Sequence, residues 1–234
     1  MGQAEFELLW GETAVGGAAG NGARPGRGRP SGLTRERIVA EAVAIADAEG
    51  LPKVSMKHLA DRLGSGVMSL YRHVPGKDEL VVLMYDSLMT GPAPLPAADT
   101  WREVLAGWGR CVRDLFRAHP WALPVATGER PMGPHEAGWL DQVLGRLAAV
   151  GMPEGTGLLA VLTVDCFALG AVRPEIGGAG SAEAFFRFLG DPGTAARFPH
   201  LAALAAGPLG APDAGYFEFG LQRVLDGLEQ HYGA

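Results

Sequence analysis

Two short helical signals follow each other so closely between Ser55 and His73 that few folds can hold them. Met56, Leu59, Ala60 and Leu63 fall at i, i+3, i+4 and i+7, one buried face of a helix. Ser55 stands before them as an N-cap, where a hydroxyl satisfies an otherwise unpaired amide of the first turn. Gly64-Ser65-Gly66 then makes a tight turn, in which glycine permits positive φ. Val67, Leu70 and Val74 give a second short helix from about Gly66 to His73, and Pro75-Gly76 ends it.

Neither short helix can bury its apolar face alone, so flanking helices have to supply a core. Thr34 is a good N-cap for a preceding helix, with Ile38, Ala42, Ile45 and Ala46 at helical spacing and Gly50 and Pro52 as its stop. Lys77 opens a following helix through Leu80, Leu83, Met84 and Leu88. Two short helices joined by a three- to four-residue turn containing Gly make a helix-turn-helix pattern. The second helix of such a pair has the size and setting to enter a DNA major groove.

Beyond Met89 the character changes. Gly91-Pro92-Ala93-Pro94-Leu95-Pro96 reads as a stiff connector. Helical patterns follow over about 99–118, 121–127, 134–150, 155–173, 181–189, 194–205 and 214–232. In the last, Phe217, Leu221, Val224, Leu225 and Leu228 form one stripe. The run Leu158 to Val172 is apolar nearly all round, interrupted by Thr163 and Asp165, and such a helix is buried on most sides. No strand-like alternation or repeat is found, so the expected fold is all-α. A flexible arm over 1–28 should precede a helix-turn-helix domain over 29–80 and a larger helical domain over 81–234. The short apolar patch Phe6-Glu7-Leu8-Leu9-Trp10 reads as a loose part of the arm.

The net charge of −6 argues against a polyanion partner, but its distribution does not. Residues 24–90 carry ten Lys/Arg against eight Asp/Glu, whereas 91–234 carry ten against fifteen. A locally basic module on an acidic body points modestly to nucleic acid. Arg24, Arg27 and Arg29, interleaved with Gly and Pro, cannot pack but can reach into a minor groove. No apolar run reaches the ~18–20 residues that cross a bilayer, and no secretory signal opens the chain, so a cytoplasmic protein without a membrane partner is expected. Cys111 and Cys166, without clustered histidines, give neither a disulfide framework nor a zinc site. Enzyme motifs fail as well. Ser69 stands where G-x-G-x-x-G needs its third glycine, Asp78 replaces the Ser/Thr of a phosphate loop, and G-x-S-x-G and H-E-x-x-H do not occur. No cofactor is expected.

The segment Arg29-Pro30-Ser31-Gly32-Leu33-Thr34-Arg35-Glu36-Arg37-Ile38 continues through Gly50-Leu51, Ser55-Met56, Leu59-Ala60 and Leu63-Gly64. With Met68-Ser69-Leu70-Tyr71-Arg72-His73-Val74-Pro75-Gly76-Lys77-Asp78-Glu79-Leu80 it resembles the N-terminal domain of the tetracycline-repressor (TetR) family. Phe217-Glu218-Phe219-Gly220-Leu221 with Leu225-Asp226-Gly227 is similar to that family's last helix. The resemblance implies a homodimeric regulator that grips a double-stranded DNA operator and answers to a small-molecule effector. Helices near 156–173 and 214–232 would pair with their mates.

The same resemblance assigns Lys57 to a base or phosphate. Gly66, Val67, Met68 and Ser69 fall at the start of the recognition helix, and Tyr71 and His73 at phosphate-contacting positions; Lys77 sits at the N-terminus of the next helix, where backbone amides also attract phosphate. Val67 or Met68 suits a thymine methyl, and Ser69 can donate or accept. For the effector, large or polarizable side chains on converging segments are the candidates: Trp108, Cys111, Met132, Trp139, Leu162, Cys166 and Phe167. His135, Thr163 and Asp165 are the polar anchors. Three fates are open to Asp165, a carboxylate in an apolar helix: a ligand, an arginine such as Arg113, or a dimer interface. Each large side chain also has an ordinary core reading. A DNA-binding protein without effector, or an enzymatic C-terminal domain, is the rival to a ligand-released repressor.

Overall fold

The computed structural model describes residues 9–11, 32–176, 184, 187–188, 190–205 and 215–232. The arm arginines Arg24, Arg27 and Arg29, and most of the helix expected at 181–189, lie outside the described residues. Every regular element among the described residues is helical.

Two compact units divide the chain, Met1–Ala93 with Ala118–Gln142, and Pro94–Arg117 with Val143–Ala234. This is a different partition from the functional one expected at residue 80, since 81–93 and 118–142 fall in the first unit.

The first unit opens with α1 (Arg35–Glu49), α2 (Met56–Leu63), α3 (Val67–Tyr71) and α4 (Lys77–Ser87). The caps are those the sequence proposes. The Thr34 side chain accepts from the Arg37 amide at 3.3 Å and Ser55 from the His58 amide at 3.2 Å. Ile38, Ile45, Leu59, Leu70, Val74, Leu80 and Met84 are fully buried and form the core under the two short helices. A 3-10 turn at Leu51–Lys53, which no periodicity announces, joins α1 to α2. Gly64 ends α2 in the left-handed region, at φ 61° and ψ 39°, where a side chain is strained. Gly66 is not such a position. Its φ is −75° and the nearest atom to an added Cβ would be Ser69 Oγ at 3.9 Å.

The same unit holds α6 (Ala122–Ala126) and the first part of α7 (Pro134–Ala149). The loose-arm expectation for the apolar patch is corrected at its end. Leu9 is buried, and Trp10 Nε1 donates to the Met132 carbonyl at 3.2 Å. An apolar contact and an indole hydrogen bond together hold this short segment in place.

The second unit contains α5 (Trp101–Ala118), α8 (Glu154–Ile176), α9 (Pro192–Arg197), α10 (Pro199–Ala205) and α11 (Tyr216–Tyr232). The single helix expected over 194–205 is broken at Phe198, because Pro199 disfavours helical backbone in the residue before it. Helices α5, α8 and α11 pack closely through small residues, Gly109 on α5 and Gly220 on α11. A Cβ on Gly109 would meet Val164 at 3.0 Å and Leu221 at 3.1 Å, and one on Gly220 would collide with the Phe167 ring. Phe217, Leu221 and Leu225 are the buried part of the α11 stripe. By length and composition alone α8 is apolar enough to cross a bilayer, a test that the core helix of a globular domain also passes. Thr163 and Asp165 interrupt the apolar run without lowering the helix's mean hydropathy enough to matter.

Helix α8 is also less enclosed than its composition suggests. Its inner face buries Gly157, Ala160, Val161, Val164, Ala168, Ala171 and Val172. Its other face leaves Leu158, Leu159 and Leu162 open to solvent.

Candidate nucleic-acid interface and ligand site

The exposed surface of the helix-turn-helix is built by elimination. Leu59 and Leu70 anchor α2 and α3 to the core, so the residues on the opposite sides point outward. On α3 these are Met68, 74 % exposed, and Tyr71, 42 % exposed. Val67 and Ser69 are half-buried, and Gly66 is open at the start of the helix. Lys57 is exposed on α2 and Lys77 at the start of α4. His73 is half-buried, and its carbonyl accepts from Arg35 Nε at 3.4 Å, which ties α1 to the end of α3.

The cations here divide into two kinds. Arg62 is neutralised by Glu41 at 2.7 Å. Lys57, Arg72 and Lys77 have no ion pair among the described residues. Arg72 is the one the sequence reading passed over. It sits exposed between Tyr71 and His73, inside the quoted run, and its charge alone could have flagged it.

The effector candidates fall into separate groups. In the first unit, Met132 is exposed and Trp139 is buried, its Nε1 donating to the Gly91 carbonyl at 2.9 Å. His135 is half-buried beside Asp86, a buried carboxylate of α4. Asp86 Oδ1 accepts from the backbone amides of His135 and Glu136 at 3.1 and 3.0 Å, and Oδ2 takes the His135 Nδ1–H at 2.7 Å. Asp86 therefore caps α7 from another helix, filling the role an N-cap side chain plays locally. Gly133 makes this possible, because a Cβ there would collide with the Asp86 carboxyl. A second carboxylate repeats the theme. Asp47 Oδ1, on α1, accepts from His119 Nδ1 at 2.8 Å and from Trp121 Nε1 at 2.6 Å. Asp86, Asp47 and His119 were not legible as a group, since their partners lie far away in the chain.

In the second unit, Trp108 Nε1 donates to Asp165 Oδ1 at 2.7 Å. Arg113 turns instead to Glu175, at 2.9 and 3.0 Å, and stacks on the Phe217 ring. Cys111 is buried. Burial, then the charges of Asp114 and Asp165, push its thiol up to about 11. Phe167 packs on Phe217 with ring centroids 5.4 Å apart. Leu162, Thr163 and Cys166 lie on the exposed side of α8, so the structure does not gather them with Trp108 and Cys111. On α11 the exposed apolar groups are Tyr216 and Phe219, 56 % and 63 % open. Surface ion pairs bind α5 to α11. Arg110 grips Glu218 through two bonds of 2.7 and 2.9 Å and holds its carboxyl below the usual range. Among the described residues no group of three or more His, Cys, Asp or Glu side chains is placed to hold a metal ion.

Comparison with known proteins accounts for this layout. Residues 38–84 match the model of the bacterial regulatory proteins of the tetR family, and residues 93–232 match the tetracyclin repressor-like C-terminal domain. The HTH-type transcriptional repressor DrrR1 of Streptomyces coeruleorubidus is 38 % identical over 239 residues, covering 96 % of this chain and 84 % of that one. The class A tetracycline repressor protein of Escherichia coli is 31 % identical, over 84 % of this chain and 90 % of its own. Among solved structures, ActR of Streptomyces coelicolor in complex with actinorhodin superposes with a TM-score of 0.70 at 30 % identity, over 87 % of this chain and all of that one. The chain belongs to the TetR family. It is a DNA-binding transcriptional regulator of the ligand-responsive repressor type, and its relatives are regulators, not enzymes.

Proposed function

We propose that the chain binds a palindromic operator as a homodimer in the cytoplasm and leaves it when a small, largely apolar effector binds. The observation that carries this reading is the exposed α3 face, Met68 and Tyr71, set beside cations that have no ion pair among the described residues. Met68 and Val67 suit thymine methyls, Ser69 a base edge, and the open Gly66 a close approach of backbone. Lys57, Tyr71, Arg72, His73 and Lys77 serve phosphates, which position the protein without reading sequence. Arg24, Arg27 and Arg29 are proposed for the adjacent minor groove. A face this poor in hydrogen-bonding groups leans on DNA shape for part of its specificity.

The exposed stripe of Leu158, Leu159 and Leu162 on α8, with Tyr216 and Phe219 on α11, supports the second copy as its cover. Under this reading residues 1–28 are an arm, 29–80 the DNA-binding part and 81–234 the effector and dimerisation part. ActR, solved with actinorhodin, supports an organic effector. Moving a dimer from mostly bound-competent to mostly incompetent requires about 5.5 kcal/mol of differential effector binding.

Selection from a random duplex library tests the proposal. Enrichment of an inverted repeat, with half-site centres about one helical turn (~34–36 Å) apart, is expected. Failure to enrich any sequence contradicts it.

A further inference from the structure

A cavity of about 660 Å³ lies within the first unit, walled by α1, α4 and the residues around His119 and His135. That is the size of a drug-sized ligand site. Leu9, Val39, Val43 and Leu83 supply apolar walls. Two histidines held by carboxylates, His119 by Asp47 and His135 by Asp86, line this one space.

The chemistry of each pair is constrained. A carboxylate can only accept, so each ring places its Nδ1 proton toward the carboxylate. In the neutral ring this fixes the tautomer and leaves Nε2 as an acceptor. Neither Nε2 has a partner among the described residues. A space of this volume with apolar walls and two oriented acceptors suits an apolar ligand that brings hydroxyl donors.

We propose that this cavity is a binding site for a largely apolar molecule with two phenolic-type hydroxyls, donating to His119 and His135. The inference rests on the ligand-responsive reading and names a site for it. A ligand here wedges between α1 and α4, the two helices that back the helix-turn-helix, and so weakens DNA binding. Of the effector candidates read from the sequence, only His135 lines this space.

The test uses the full chain and two probes of one shape, 2,6-dihydroxyanthraquinone and its dimethyl ether, titrated by calorimetry. The hydroxylated probe should bind at least about tenfold more tightly, since the ether leaves both acceptors unpaired. His119→Phe and His135→Phe should each weaken it by about tenfold and erode the preference. Asp86 keeps its two backbone donors in the second variant, so folding should survive. Val43→Phe, or Val39→Phe if the first fails to fold, should abolish binding by filling the cavity, whereas Trp108→Phe should change nothing. The proposal is overturned by absence of binding, by equal binding of the two probes, by indifference to the histidine and cavity-filling variants, or by loss in Trp108→Phe. Operator binding measured on the same samples keeps the two readings apart. Failure to bind any selected DNA would sink the regulator reading, while the calorimetry would still answer for the cavity.

Discussion

Helices α3 and α8 both leave apolar side chains in water, and they do so for opposite reasons. On α3 the open groups are Met68 and Tyr71, flanked by Arg72 and, across the turn, by Lys57. On α8 and α11 they are Leu158, Leu159, Leu162, Tyr216 and Phe219, with Arg173 and Arg223 as the exposed cations of the two helices. An apolar group among unpaired cations matches a polyanion with methyl-bearing grooves. A longer stripe whose Arg223 is paired with Asp226 and lies over the Phe219 ring matches another apolar surface. What supports the two surfaces differs too. The first unit is clasped by two carboxylates, buried Asp86 and exposed Asp47, each serving more than one donor. The second is held by apolar packing at short range, through Gly109 and Gly220.

The comparison breaks most visibly at the α8 stripe. Leu159→Glu places a charge at the centre of the proposed dimer contact. Sedimentation should show monomer, and operator affinity should fall about a hundredfold or more, because two linked half-site contacts become independent. A variant that stays dimeric would remove α8 from the interface.

Gly133→Ala probes the polar clasp instead. The new methyl displaces Asp86, so α7 loses its cap and the carboxylate loses its donors. A loss of about 2 kcal/mol is expected in denaturant unfolding. A neutral result would mean that the clasp contributes little.

The smallest effect separates the two cysteines. Cys111 is buried with its thiol raised to about 11, so it should stay protonated and slow to alkylate in every form. Cys166 is exposed on the α8 stripe and should be shielded in the dimer. Its alkylation by iodoacetamide should quicken by about tenfold when Leu159→Glu exposes it. Equal rates in wild type and variant would argue that the stripe is never covered.

Legibility followed the range of each interaction. The caps Thr34 and Ser55, the left-handed Gly64 and the buried faces of α1 to α4 were readable because each is settled within a turn or two of helix. The 3-10 turn at Leu51–Lys53 is too short to have a period. The break at Phe198 was overlooked although Pro199 marks it. The Asp86–His135 and Asp47–His119 pairs lie 49 and 72 residues apart, so no local pattern reveals them. The fate of Asp165 was open for the same reason, and Trp108 rather than Arg113 meets it. Gly66 looked like a turn glycine only because Gly64 is one.

The central claim is that α3, with the neighbouring cations that have no ion pair among the described residues, grips DNA. It is tested most directly by fluorescence-anisotropy titration of a selected operator over a salt series, comparing wild type with Lys57→Ala. The account predicts tight, sequence-selective binding that weakens steeply with salt, and a variant with about tenfold lower affinity, a salt slope reduced by about one and unchanged dimerisation. Weak binding that is equal on operator and random DNA, or a Lys57→Ala variant indistinguishable from wild type in affinity and slope, would contradict it.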